Sequence, residues 1–260
     1  MNEQKSVLFC GCVNSDIIPA RVKRRVLGTL LANGVHVHSV GDLCGLAARR
    51  DPLLRELAAT GDVLVAACHP RAIHWLFRRA GADMNGTRMV VANMRSGDLE
   101  DVLRVIFDGN PPEPGAEVDL PAAEGCDGWA PWFPVIDYDR CGNCRQCLDF
   151  CLFGVYETDA DGRVTVSQPE RCKNKCPACA RICPEAAIIF PKVSESPING
   201  AAIDDEDGTR ANIKVNLDKM LGDDIYAALA ERKKKRRQLL LRGQDVKRAL
   251  DERGSHTGGR

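Results

Sequence analysis

The sequence predicts a small parallel-sheet α/β domain, followed by a smaller cysteine-rich α+β domain and a C-terminal helical tail. Within residues 1–108, short apolar runs alternate four times with stretches that have helical periodicity. Between residues 134 and 193, eight cysteines fall into two closely spaced quartets. Continuous apolar strands that alternate with amphipathic helices are typical of a parallel sheet covered on both faces.

The first domain is predicted to contain four strand-and-helix units. Its strands are short, and we place them at 7–9, 35–40, 63–67 and 89–92. Apolar residues then recur at helical spacing over 22–30, 51–57, 70–80 and 99–106. Pro52 and Pro70 stand in the first turns of the second and third predicted helices, where proline is well tolerated.

Four cysteines of this domain lie where predicted strands end. They are Cys10 and Cys12 after the first strand, Cys44 after the second and Cys68 after the third. Because the carboxyl ends of parallel strands form one rim where ligands bind, we expect these thiols at one edge. They form a candidate site for an iron–sulfur cluster, with zinc less favoured. The alternative is that each cysteine is a small buried hydrophobe.

Residues 109–133 are rich in proline, glycine and acidic side chains, and they predict a linker. We expect Trp129, Trp132 and Phe133 to order part of it by packing on a neighbouring domain. Cys126 is the one cysteine outside the two quartets and the strand-end set, and we assign it no role.

The two cysteine quartets have the spacing of cluster ligands. The first runs C-x2-C-x2-C-x3-C, and the second runs C-x3-C-x2-C-x3-C before Pro184. In a bacterial-type run, the last cysteine of each quartet ligates the other cluster. This predicts two [4Fe-4S] clusters, held by Cys141, Cys144, Cys147 and Cys183 (cluster 1) and by Cys172, Cys176, Cys179 and Cys151 (cluster 2). Zinc is the alternative, since paired C-x2-C motifs also bind it.

The elements around these cysteines are predicted to be short. We expect helices over 144–151 and 176–187, outer strands at 134–137 and 188–192, and a hairpin of 155–158 with 164–167 that turns at Asp161-Gly162. Residues 134–193 resemble the double [4Fe-4S] bacterial-type ferredoxins, which implies an α+β ferredoxin-like fold. The sequence departs from that family at Leu152, where a proline is usual, and in the extra residue within 173–175.

A second resemblance concerns the first domain. The runs Phe9-Cys10-Gly11-Cys12, Leu43-Cys44, 67–71 and 93–95 resemble the N-terminal domain of the flavin-bearing subunit of heterodisulfide reductase. The resemblance implies an electron-transfer module of multi-cluster redox complexes, with the four strand-end cysteines as cluster ligands. No predicted strand is followed by G-x-G-x-x-G, so we expect no flavin here. Around this site, His69 is interpreted as a helix cap rather than a ligand, and Arg95 as a residue that offsets cluster charge or is solvated.

Residues 194–260 are predicted to form an extended loop through the acidic run 204–207, then a basic helix from about Leu217. Residues 219–253 hold eleven basic and six acidic side chains, with the run 232–237 at the centre. Such a helix can bind nucleic acid or an acidic membrane. We favour docking on an acidic partner or on the chain's own acidic face. Residues 254–260 are expected to be disordered.

The chain has 36 basic and 36 acidic residues, and 5% of its residues are aromatic. The low aromatic content does not favour single-stranded nucleic acid as a partner. There is no transmembrane-length apolar run or signal-type N-terminus. Metal-type cysteine spacing indicates a reducing compartment, so we expect a cytoplasmic protein.

Together these patterns predict an iron–sulfur protein that passes single electrons to a redox partner or an oxidoreductase complex, rather than an enzyme on its own. No catalytic residue is assigned. One alternative is a catalytic protein that reduces disulfides or sulfur compounds at the N-terminal cysteines. The other is an iron–sulfur regulator that binds nucleic acid through the basic helix.

Overall fold

The structure, a computed structural model, describes residues 6–95, 97–122, 129–221 and 225–242. The chain divides into two compact units, Met1–Cys126 and Asp127–Arg260. Cys126 and the end predicted to be disordered, 254–260, lie outside the described residues. None of the described helices is both long and apolar enough to cross a membrane.

The first unit contains a four-stranded parallel sheet, as predicted, with the order β2-β1-β3-β4. Its strands are β1 (Ser6–Cys10), β2 (His36–Val40), β3 (Asp62–Ala67) and β4 (Arg88–Asn93). Its helices are α1 (Ala20–Ala32), α2 (Leu43–Arg49), α3 (Pro52–Ala59), α4 (Pro70–Arg79) and α5 (Leu99–Ile106). Val7, Leu8 and Phe9 of β1 are fully buried, because the central strands of a parallel sheet are covered on both faces.

Helix α2 is absent from the predicted elements. Asp42 forms its N-cap, and the Asp42 carboxylate accepts a hydrogen bond from the Cys44 N–H at 3.0 Å. Arg50 ends the helix in a left-handed conformation with φ 55°. The cap and the spacing of Leu43, Leu46 and Ala47 are the sequence signals that could have revealed it.

The proline-rich stretch predicted as a linker begins as an ordered part of the first unit. The Gly115 N–H donates to Thr29 Oγ1 at 2.7 Å, and Arg25 donates to the carbonyls of Pro114 and Gly115. A side chain at Gly28 would overlap the Ala116 carbonyl oxygen. The absence of a side chain at Gly28 therefore lets this segment lie directly on α1.

The second unit contains two small antiparallel pairs. Strand β5 (Val135–Ile136) pairs with β8 (Ile188–Ile189), and β6 (Tyr156–Thr158) pairs with β7 (Val164–Val166). The hairpin turns at Asp161-Gly162 as predicted, and Gly162 takes a left-handed φ of 75°. A 3₁₀ turn at Pro169–Arg171 precedes the second cysteine quartet.

The two helices that carry cysteines in this unit are shorter than predicted. Helix α6 is Gln146–Phe150 and α7 is Ala178–Arg181, in place of 144–151 and 176–187. Left-handed Asn143 and Arg145 prevent a helix from starting at Cys144. Pro184 disfavours helical geometry at the preceding residue, so α7 stops early.

The prediction of a loop at 204–207 and a single helix from Leu217 is wrong. Helix α8 (Glu206–Leu221) begins inside the acidic run, and α9 (Ile225–Arg242) follows. The Asp205 carboxylate accepts from the Gly208 N–H at 2.8 Å, which satisfies one of the free donors at the helix start. Glu206 accepts two hydrogen bonds from Arg140, at 2.7 and 2.9 Å.

Candidate iron–sulfur sites

One cavity of the second unit is lined by four cysteines, Cys141, Cys144, Cys147 and Cys183. Ile136, Val164 and Ile188 line the same cavity, so much of its remaining wall is apolar. Burial raises the pKa of the Cys147 thiol, and the neighbouring Cys183, Cys144 and Cys141 raise it further. The structure therefore places Cys183, the last cysteine of the second quartet, with three cysteines of the first.

The reciprocal exchange brings Cys151 to the second quartet. Burial raises the pKa of Cys179 well above its usual value, with Cys151 and Cys172 as the next causes. Burial also raises the pKa of Cys151, and the neighbouring Cys176 thiol raises it further. The eight cysteines thus form two groups of four, in the combination used for the assignment of clusters 1 and 2. That they ligate clusters stays a prediction.

Left-handed residues bend the chain around these groups. Asn143 and Arg145 flank Cys144 with φ 55° and 64°, and Lys175 precedes Cys176 with φ 57°. Such conformations are uncommon outside glycine, and they persist where the surrounding structure fixes them. The hairpin fixes Asn143, whose Nδ2 donates to the Gly162 carbonyl and whose Oδ1 accepts from the Val164 N–H, both at 3.0 Å.

Sulfur atoms in both groups accept hydrogen bonds from protein donors. The Tyr156 hydroxyl donates to Cys179 Sγ at 3.1 Å, and the Ala187 N–H donates to Cys183 Sγ at 3.3 Å. Tyr156 is buried, and burial raises its pKa well above the usual value. It therefore remains a proton donor, and donors of this kind stabilise negative charge on a ligating sulfur.

The donor set fits iron–sulfur clusters. Each group offers four thiols, which is the number that ligates a [4Fe-4S] cluster. Iron binding deprotonates such thiols despite the burial that raises their pKa. Among the described residues, no group of three or more His, Cys, Asp or Glu side chains is spaced to hold a metal ion.

The strand-end cysteines of the first unit lie at the switch in strand order, since β2 and β3 flank β1 on opposite sides. Burial raises the pKa of Cys10, with Cys12 and Cys68 among the other causes, and burial and Cys12 raise the pKa of Cys68 to about 12. Cys44 is buried at the start of α2, and the N–H of the adjacent Leu43 donates to Cys10 Sγ at 3.3 Å. Cys12 itself has a left-handed φ of 44°.

Two cations accompany these thiols, and sequence reasoning missed one of them. Lys23 is buried, and its Nζ donates to the Cys12 carbonyl at 3.2 Å. Arg95 is half-buried; burial lowers the pKa of its guanidinium, whereas Cys68 and Cys12 raise it.

His69 occupies the N-cap position of α4 without a side-chain cap bond, and its Nδ1 lies 3.1 Å from Asn93 Nδ2. Burial and Arg95 lower the His69 pKa to about 4.

The basic helix α9 contacts the cysteine-bearing helix α6. The Arg232 guanidinium lies 3.8 Å from the centroid of the Phe150 ring, and its Nε donates to the Phe150 carbonyl at 3.4 Å. Lys233 Nζ pairs with Asp149 Oδ1 at 3.2 Å. Burial lowers the pKa of Arg232, whereas Cys176 and Cys151 raise it. The sequence singled out Arg232 only as part of the basic run, because only the fold brings it to Phe150.

Comparison with known proteins places the second unit among iron–sulfur domains. Residues 133–209 match the family model of the 4Fe-4S dicluster domain. The chain is 49% identical over 61 residues to an uncharacterized ferredoxin of Methanocaldococcus jannaschii, a match that covers 23% of this chain and 41% of the relative. It is 32% identical over 60 residues to the pyruvate synthase subunit PorD of the same organism, covering 23% of this chain and 67% of that relative.

The chain thus spans about two fifths of the length of the first relative and about two thirds of the second. No solved structure matches the chain significantly. The family match includes all eight cysteines of the two groups. The chain therefore belongs to the 4Fe-4S dicluster domain family through residues 133–209.

Proposed function

We propose that the chain is an iron–sulfur electron-transfer protein with two [4Fe-4S] clusters in the second unit and a third in the first. The observation that carries the pair of clusters is that Cys183 lines one cavity with Cys141, Cys144 and Cys147, while Cys151 lies with the rest of the second quartet. When bound, such clusters take up and release single electrons.

Protein groups would hold the two clusters and tune them. Cluster 1 would bind Cys141, Cys144, Cys147 and Cys183, and cluster 2 would bind Cys151, Cys172, Cys176 and Cys179. The Tyr156 hydroxyl donates to Cys179 Sγ in the cluster 2 set, and the Ala187 N–H donates to Cys183 Sγ in the cluster 1 set. Hydrogen bonds to sulfur and limited access of solvent are the main means by which a protein sets a cluster's potential.

The proposed third cluster would bind Cys10, Cys12, Cys44 and Cys68. Lys23 and Arg95 support it, because two cations beside buried thiols compensate the negative charge of a thiolate-bound cluster. The left-handed conformation of Cys12 also supports it, since backbone strain of this kind concentrates at functional sites. If the four thiols bind zinc instead, a measurement of the metal content per chain would find zinc in place of the third set of irons.

The proposed partner is an oxidoreductase complex of heterodisulfide-reductase-like type. The motifs around the strand-end cysteines support this, and one relative is named as a subunit of pyruvate synthase. We propose a cytoplasmic location, because cysteines spaced as metal ligands are typical of a reducing compartment. We do not propose a flavin for this chain.

Electron transfer is favoured over the two alternatives. The N-terminal thiols are only 6–8% exposed, so a disulfide substrate has little access to them. Arg232 and Lys233 of the basic run are already engaged by α6, which removes two cations from a nucleic-acid surface.

The experiment is a measurement of iron and acid-labile sulfide per chain after anaerobic purification. We expect about twelve irons in the wild type and about eight in the variant Cys10→Ser/Cys68→Ser, for three and two four-iron clusters. Cys126→Ser is the matched control, because it removes a thiol that belongs to none of the three sets, and it should keep about twelve. About eight irons in all three proteins would refute the third cluster, and fewer than about eight in the wild type would refute the pair.

A further inference from the structure

We propose that Arg232 raises the reduction potential of cluster 2 by holding a fixed positive charge beside it. The inference rests on the proposed function, since it requires a cluster bound by Cys151, Cys172, Cys176 and Cys179. It assigns to the C-terminal helix α9 a role in tuning the redox site.

The geometry holds the guanidinium in one place. Arg232 lies over the Phe150 ring at 3.8 Å, and its Nε donates to the Phe150 carbonyl at 3.4 Å. Phe150 directly precedes Cys151. The ion pair of Lys233 with Asp149, at 3.2 Å, attaches the next residue of α9 to the same helix. Two adjacent residues of α9 therefore fix the cation next to a ligand of cluster 2.

The charge lies near the proposed ligands of cluster 2. The groups that favour the charged form of Arg232 are Cys176 and Cys151, both ligands of cluster 2. Arginine keeps its charge at all accessible pH values, so the effect does not depend on a titration. The half-buried position of the guanidinium limits screening by salt.

The sign of the effect follows from electrostatics. Reduction adds one negative charge to the cluster, and a nearby cation stabilises the reduced form more than the oxidised form. Removal of the cation should therefore lower the equilibrium constant for reduction. A unit charge close to a cluster in the protein interior changes that constant by on the order of tenfold, which for a one-electron couple is about 59 mV.

The test is an anaerobic redox titration followed by electron paramagnetic resonance, on purified full-length protein with a measured iron content. Arg232→Met keeps an apolar contact with Phe150 but removes the charge. It should lower the equilibrium constant for reduction of one cluster by on the order of tenfold, and with it the potential of that cluster. Arg232→Lys keeps the charge and should stay near the wild type. Lys234→Gln, an exposed residue of the same helix, is the matched control and should shift nothing.

The cluster that responds is identified by Tyr156→Phe, which alters a hydrogen bond to Cys179, a cluster 2 ligand. The same signal should move in Arg232→Met and in Tyr156→Phe. The inference is overturned if Arg232→Met leaves every cluster potential unchanged, if it moves only a signal that Tyr156→Phe does not move, or if Arg232→Lys shifts as far as Arg232→Met. Absence of cluster signals and of iron in the wild type would instead refute the proposed function.

Discussion

At the scale of single residues, Tyr156 makes the hydrogen bond to sulfur that bears most directly on the proposed cluster 2. Its buried hydroxyl donates to Cys179 Sγ at 3.1 Å. Burial and the adjacent thiols keep its pKa high, so the proton stays on the oxygen. A hydrogen bond to a ligating sulfur favours the more negative state of the cluster.

We expect Tyr156→Phe to lower the reduction potential of cluster 2, because the change removes this donor while keeping the ring. Redox titration of the purified protein measures the shift. Tyr138→Phe is the matched control, since the Tyr138 hydroxyl donates to the Val164 carbonyl at 3.1 Å rather than to sulfur. Equal potentials in wild type and Tyr156→Phe would contradict this prediction.

At the scale of elements, the first helix and the proline-rich segment depend on one close approach. A Cβ at Gly28 would overlap the Ala116 carbonyl oxygen. Gly115 and Thr29 join the same two segments through a hydrogen bond of 2.7 Å.

Gly28→Ala should therefore destabilise the first unit by about 1–3 kcal/mol, because an added methyl group forces the segment away from α1. Thermal unfolding measures the change. Leu31→Ala on the same helix is the control, since Leu31 is 54% exposed and exposed substitutions change stability little. An unchanged melting temperature in Gly28→Ala would show that the segment does not need this contact.

Much of the fold and of the site was predictable from local patterns. Apolar strands and strand-end cysteines predicted the parallel sheet and the edge where Cys10, Cys12 and Cys68 meet. The late start of α6 was not predictable, because left-handed Asn143 and Arg145 depend on contacts with a hairpin distant in sequence. The role of Arg232 beside Phe150 was not predictable either, since only packing of α9 on α6 brings the two together.

At the scale of the whole molecule, the two units differ in what stabilises them. The first has a four-stranded sheet with a buried apolar strand at its centre. The strands of the second are two or three residues long. Such short pairs are marginal by themselves, so bound clusters would supply much of the stability of this unit.

Anaerobic removal of iron should therefore unfold residues 133–209 and leave the sheet of the first unit protected. Hydrogen exchange of backbone amides, before and after chelation, measures both in one sample. The amides of Val7, Leu8 and Phe9 serve as the internal control, because they lie in the buried core. Unchanged protection of β5 to β8 after complete loss of iron would contradict the prediction.

The exchange of Cys151 and Cys183 between the two cysteine groups also bears on how the protein matures in the cell. With the proposed ligands, neither cluster can be completed until the ribosome has released the chain as far as Cys183 or, for cluster 2, Cys179. Delivery of the first four-iron unit would bring the second set of thiols together, so the two insertions would be cooperative. Partly loaded molecules with a single complete cluster should then be scarce during synthesis.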